Sequence, residues 1–424
     1  MGSENRIMKD SNRNILALLG PGILYTAAAV GVSHLVYATR AGAVYGLAMI
    51  PFILLFCLLK YPALRFGNEF AAATGHSLVD SYIGFGRWTL WIFGLSQILS
   101  MVFIVAAIGL VTTALINAVL GISFGSLLDN GILLLISAVI LITGRYHMLE
   151  RLTKAIVMLF SFLILLATFS ALFKLKLKGM SLGCVSFDIP TLLYVVAMAG
   201  YMPTPLDASV LQSLWARAKA EDFGREVSIP EARLDFNIGF ITTFTLAVCF
   251  VLLGMVVMYC NGVTPEENSI GFANQVIRLF TELVGNWAYY PIGVAAITVM
   301  FSTLLTVMDG YPRVIEALVI DLLPRSEGKL MGRRFYDWII ILLVLASLVV
   351  ISTFMKSFQA FIDMTSVIAF LVGPFIAWLN HRSIFGKQVP EDNRPGPVIR
   401  LWSKLSLIIL TIISAAYLYL RITG

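Results

Sequence analysis

Runs of about 20 mostly apolar residues, the length that crosses the hydrocarbon core of a bilayer as a helix, recur along the whole chain. Short polar connections separate them. Eleven spans are predicted, at about 15–39, 44–66, 88–119, 127–144, 150–173, 190–216, 234–260, 286–312, 335–355, 358–380 and 400–421. The runs lack the alternation of apolar and polar positions that a membrane β-barrel needs. The pattern therefore predicts an all-α polytopic membrane protein. Residues 265–285 are amphipathic and predict an external helix lying at the membrane surface.

The sixth run contains "AMAGYMPTPLDAS", residues 197–209. Pro203 and Pro205 lack backbone N–H groups, and each disfavours helical geometry in the residue before it. With Gly200 close by, the helix should unwind locally. Unwound backbone at membrane depth is tolerated only where protein or a cavity surrounds it, so the break and the adjacent Asp207 read as a binding site. The first run, "GPGILYTAAAVGVSHLVYATRAG", carries Gly31, Ser33 and His34 at its midpoint. A central His should face the protein interior. Broken helices five spans apart, in corresponding positions, point to an inverted-repeat secondary transporter with its site near the bilayer centre. The expected layout is a polar tail, residues 1–14, and a ten-helix core, 15–380, with repeats at about 15–173 and 190–380. A connection and an eleventh helix, 381–424, follow.

Composition narrows the class further. The chain has 424 residues, of which 59% are hydrophobic and 13% charged, and a mean hydropathy of +0.88. No soluble domain fits that composition. Lys and Arg concentrate on alternate connections, with the one between spans two and three flanked by Lys60, Arg65 and Arg87. The positive-inside rule then places the N-terminus in the cytoplasm and the C-terminus on the far side, and the compact loops without a targeting signal lead to the expectation of a bacterial inner membrane, with the C-terminus periplasmic. The net charge of +6 reflects this topology and gives no reason to expect nucleic acid. Cys57, Cys184, Cys249 and Cys260 have no metal-type spacing and read as small core residues. No ATP-binding loop and no enzyme-like constellation is present. A coupling ion, H⁺ or Na⁺, is the only helper expected, with no cofactor, the lipid bilayer as surroundings and a monomer as the assembly.

Spans one and six resemble those of the Nramp metal-ion transporters, which have the LeuT-type fold. "GPGILYTAAAVGVSHLVYATRAGAVYGL" is similar to the family's first span, "YMPTP" to its Met-Pro-His motif, and "VMDGY", 307–311, to its Val-Met-Glu-Gly-Phe. The chemistry departs from the family. Its metal-binding Asp-Pro-Gly-Asn falls here on Gly31, Val32, Ser33 and His34. Met202 keeps the methionine ligand, the His after the Met-Pro pair is Thr204, and a second family His falls on Ser209. Losing the carboxylate removes the main charge compensation for a divalent cation.

Two readings of the cargo follow. In the first, the site has been repurposed for a small zwitterionic or cationic organic solute, bound by Ala28, Gly31, Ser33, His34, Ala199, Tyr201, Met202, Thr204 and Asp207. Tyr25 and Tyr37 would add aromatic faces for an ammonium group. In the second, an altered metal site survives from His34, Met202 and Asp207 with the carbonyls of Ala28 and Ala199. A non-transporting sensor is a third possibility. His34, Asp207, Gln359 and Asp363 are the candidate ion-coupling residues, with capping of the span by Lys356 the alternative role for Asp363. Asp309 reads as structural or gate-forming. Ser302, Thr303 and Thr306 read as interhelical hydrogen bonders or an ion site.

Overall fold

The computed structural model describes residues 21–144, 146–174, 183–223, 227–322, 333–354 and 357–423. The polar tail and Lys356 lie outside these residues. Span one comprises α1 (Pro21–Ala29), a π-helical segment (Ser33–Ala38) and α2 (Thr39–Tyr45). A 3-10 turn, Gly46–Met49, leads into α3 (Ile50–Thr74). After α4 (Leu78–Tyr82), spans three to five are α5 (Arg87–Leu120), α6 (Ser126–Ile142) and α7 (Tyr146–Lys174). Span six is α8 (Ile189–Tyr201) and α9 (Ala208–Phe223), and span seven is α10 (Ile229–Val257). Then come α11 (Ser269–Val284) and spans eight to eleven, α12 (Tyr289–Leu322), α13 (Arg333–Phe354), α14 (Phe358–Ile384) and α15 (Pro397–Thr423). Seven helical stretches are long and apolar enough to cross a membrane, and Ser126–Ile142, Met158–Phe173 and Ile189–Tyr201 are shorter apolar helices. Each of the eleven predicted runs thus corresponds to a helix or a broken pair of helices. The described residues form an all-helical bundle in which spans one and six are interrupted.

Local chemistry sets the helix ends. Asp188 caps α8 by accepting from Thr191 N at 2.8 Å, and Ser228 opens α10 in a reciprocal capping box with Glu231. Gly75, at φ 71°, closes α3 in the left-handed conformation. Spans one and seven meet along small residues. A Cβ at Gly42 would lie 2.0 Å from Val251 O, and one at Gly254 would lie 2.3 Å from Thr39 O. That contact is the membrane form of close packing, in which backbones approach where side chains are absent.

Three expectations change. The amphipathic helix α11 does not rest on lipid. Its Phe272, Val276, Ile277 and Phe280 are buried against α5, α7 and α12, because bundle surface offers its apolar face tighter contacts than lipid does. Second, α3 runs to Thr74, past the expected end at 66, so Lys60 and Arg65 lie well inside a helix rather than beside a connection. Arg65 is held by Glu69 at 2.8 Å, and Arg233 reaches the same carboxylate oxygen at 2.6 Å. Third, Cys57 and Cys249 are buried as expected, but Cys184 and Cys260 are exposed.

Candidate substrate site

The two breaks face each other at the centre of the bundle. In span one the helical ladder stops after Val30 N, which bonds to Thr26 O; Gly31 N turns back to Ala29 O at 2.9 Å. Side chains take over the freed carbonyls. Ser33 Oγ donates to Ala29 O at 2.6 Å, and Thr303 Oγ1, from α12, donates to Ala27 O at 2.7 Å. In span six, α8 ends at Tyr201, with Met202 extended. Ala208 N bonds to Pro205 O at 3.2 Å, leaving Thr204 O without the helical partner it would otherwise have.

A buried ammonium serves these carbonyls. Lys60, 2% exposed, donates from Nζ to Gly200 O and to Thr204 O, both at 2.9 Å. Its charge interacts with that of Asp207. The sequence reading missed Lys60 because it took it for a charge flanking a connection; the overlooked signal was a lone Lys inside the apolar stretch "FILLFCLLKYPAL".

A cavity opens between the breaks. The volume open to water centres is about 50 Å³, room for roughly four waters at ~10–15 Å³ each. Its polar wall is Ser33, Tyr201, Thr204, Asp207, Thr303 and Tyr311, and its apolar wall includes Ile104, Ile108, Leu211 and Val307. Asp207, 4% exposed, immediately precedes α9, where helix N–H groups favour a negative charge. Tyr311 OH donates to Asp207 Oδ2 at 3.0 Å. The Tyr201 hydroxyl makes no hydrogen bond and lines the cavity.

Of the nine substrate-binding candidates, the cavity brings together Ala28, Gly31, Ser33, Tyr201, Thr204 and Asp207. It does not include His34, Ala199 or Met202, each fully buried behind it. His34 turns toward span seven, with Nε2 2.9 Å from Thr243 O and Nδ1 2.7 Å from Ser33 Oγ. Nδ1 also lies 3.1 Å from Ala29 O, so the ring faces a carbonyl on each side. Tyr37 and Tyr25 also lie outside the lining. Tyr37 OH donates to Asp363 Oδ1 at 2.9 Å, and Gln359 Nε2 donates to the same oxygen at 2.8 Å. Gln359 and Asp363 therefore form a separate cluster near the α11 end. Asp309 holds Arg313 at 2.8 Å and Tyr336 at 2.5 Å, tying α12 to α13. Among the described residues, no group of three or more His, Cys, Asp or Glu is placed to hold a metal ion.

A family model described as natural resistance-associated macrophage protein-like, Nramp, matches residues 22–420. The chain belongs to this family. An uncharacterized protein of Pasteurella multocida (strain Pm70) is 32% identical over 381 residues, covering 88% of this chain and 86% of that one. Among solved structures, the manganese transporter of Eremococcus coleocola, crystallised with an aromatic bis-isothiourea compound, has a TM-score of 0.67 at 16% identity. That alignment covers 94% of this chain and 85% of that one. MhsT with L-phenylalanine gives 0.67 at 14% identity, covering 96% and 98%. Mhp1, a nucleobase-cation-symport-1 family transporter with bromovinylhydantoin bound, gives 0.62 at 13%, covering 96% and 93%. The Nramp family and the LeuT-type fold together make this chain a secondary membrane transporter, with a substrate and a lipid environment as its partners.

Proposed function

We propose that the cargo of this Nramp-family transporter is a small organic solute, zwitterionic or cationic, of only a few heavy atoms. The observation that carries the reading is the charge inventory of the central cavity: one carboxylate, Asp207, with the Lys60 ammonium behind it. A divalent cation is held by several anionic or strongly donating ligands. Here the soft donor Met202 and the imidazole of His34 lie outside the cavity lining, and beside Lys60 the single carboxylate leaves too little negative charge for a dication. A zwitterion matches such a balanced site. Its ammonium would meet Asp207, with Tyr311 holding the carboxylate and the Tyr201 ring offering an aromatic face. The cavity volume supports a solute close to glycine or methylammonium in size. Relatives of this fold named for manganese and for L-phenylalanine leave both classes of cargo compatible with the scaffold, so the lining residues carry the choice.

The test is a thermal-shift panel on purified protein: glycine, alanine, glycine betaine and methylammonium beside Mn²⁺, Cd²⁺ and Mg²⁺. Stabilisation by one organic solute, lost in Asp207→Asn, supports the reading. Stabilisation by Mn²⁺ or Cd²⁺ that disappears in Met202→Ala overturns it in favour of an altered metal site. We further propose that the protein works as a monomer in a bacterial inner membrane, with its N-terminus cytoplasmic.

A further inference from the structure

We infer that Lys60 is a tethered cation filling a monovalent-cation site built from Gly200 O, Thr204 O and the nearby charge of Asp207. Three observations carry this. First, the break that Pro203 and Pro205 open in span six leaves Gly200 O and Thr204 O without helical N–H partners inside the protein, where backbone groups still need one. Second, Nζ sits 2.9 Å from two of them. Third, Asp207, beyond the break, is the carboxylate that acts electrostatically on the Lys60 side chain, while Cys57, on the same helix as Lys60, is a buried neutral thiol. Two neutral carbonyls beside a carboxylate form an oxygen donor set of the hard kind, suited to a small monovalent cation such as Na⁺ or to an alkylammonium. Lys60 supplies that cation covalently, from α3, so the broken segment is held without an ion taken from solution.

The inference goes beyond the cargo reading and does not depend on it. Its consequence is that the native chain needs no Na⁺ to hold span six, whereas removing the side chain should create that need. The experiment is thermal unfolding of purified protein in choline chloride, NaCl or LiCl at equal ionic strength. Wild type should unfold at the same temperature in all three. Lys60→Ala should unfold at least about 4 °C lower in choline and regain a saturable part of the loss with Na⁺ or Li⁺. The double variant Lys60→Ala/Asp207→Asn should lose that rescue. Absence of any cation response in Lys60→Ala, or an equal response in wild type, would overturn the inference.

Lys60→Gln keeps the experiment decisive if the alanine variant does not fold. The amide still offers N–H donors to both carbonyls but no charge. Asp207→Asn should then raise the unfolding temperature on the Lys60→Gln background and lower it on the native one, the signature of a coupled charge pair. The same change of the same sign on both backgrounds would show that Lys60 acts only as a hydrogen-bond donor.

Discussion

Gly200 lies where span six crosses span ten, and a methyl group there has nowhere to go. A Cβ at this position would sit 1.9 Å from Ser366 O and 2.5 Å from Ser366 Oγ. Carbon-to-oxygen contacts settle near 3.3 Å, so α8 and α14 would have to part by about 1.4 Å. The obstacle is a backbone carbonyl inside a helix, which no rotamer change can move aside. Overpacking of this kind costs about 3 kcal/mol. Separation also breaks the bond from Ser366 Oγ to Ala197 O, worth about 1 kcal/mol. At about 1–2 °C per kcal/mol for a chain of this size, Gly200→Ala should unfold roughly 5 °C below wild type. The same shift displaces Tyr201 and Thr204, so ligand stabilisation should fall with it. Gly131, in α6, is the control, since a Cβ there meets nothing within 4 Å. Gly131→Ala should be neutral or raise stability by up to about 1 kcal/mol through helix propensity. Thermal unfolding in detergent followed by tryptophan fluorescence reads both variants. A Gly200→Ala protein as stable as wild type, with ligand binding intact, would refute the close crossing of spans six and ten.

Other perturbations separate the cavity from what surrounds it. Tyr311→Phe removes the hydroxyl that donates to Asp207, a bond to a charged group worth ~1.5–3 kcal/mol, and should lower both unfolding temperature and solute affinity in a thermal-shift titration. His34→Ala takes the imidazole away from Thr243 O and should lower stability while leaving solute affinity and its pH dependence unchanged, because the imidazole faces span seven; loss of pH dependence in an uptake assay would return His34 to the coupling machinery. Glu69→Gln weakens an ion pair shared by Arg65 and Arg233 and should destabilise the protein without altering which solute binds, read by the same titration.

The bundle was legible because hydrophobic runs of spanning length leave few alternatives, and because Gly200, Pro203 and Pro205 cannot all remain helical. The break in span one was fainter: Gly31 sits among Val and Ala, and what keeps it open is tertiary. Thr303 and Ser33 bond the freed carbonyls, and nothing in the local sequence announces those partners. The site was half legible for the same reason. A residue beside a break can face the cavity, as Thr204 and Asp207 do, or turn behind it, as Met202 and His34 do. Sequence position marks the break but not the side-chain direction. Lys60 was hidden by its own chemistry. A Lys within reach of a membrane boundary reads as a charge flanking the connection, and only the three-dimensional arrangement reveals carbonyls waiting 140 residues further along the chain.

The central claim is that a single carboxylate, Asp207, recognises an organic ammonium in a cavity that does not take a divalent metal. Calorimetric titration of metal-free protein with the stabilising organic solute and with Mn²⁺, on wild type and on Asp207→Asn, tests it directly. The account predicts saturable solute binding to wild type, weakened at least about tenfold in the variant, the equivalent of 1.4 kcal/mol, and no heat from Mn²⁺ in either. Saturable Mn²⁺ binding to wild type, with solute binding unaffected by Asp207→Asn, would contradict it.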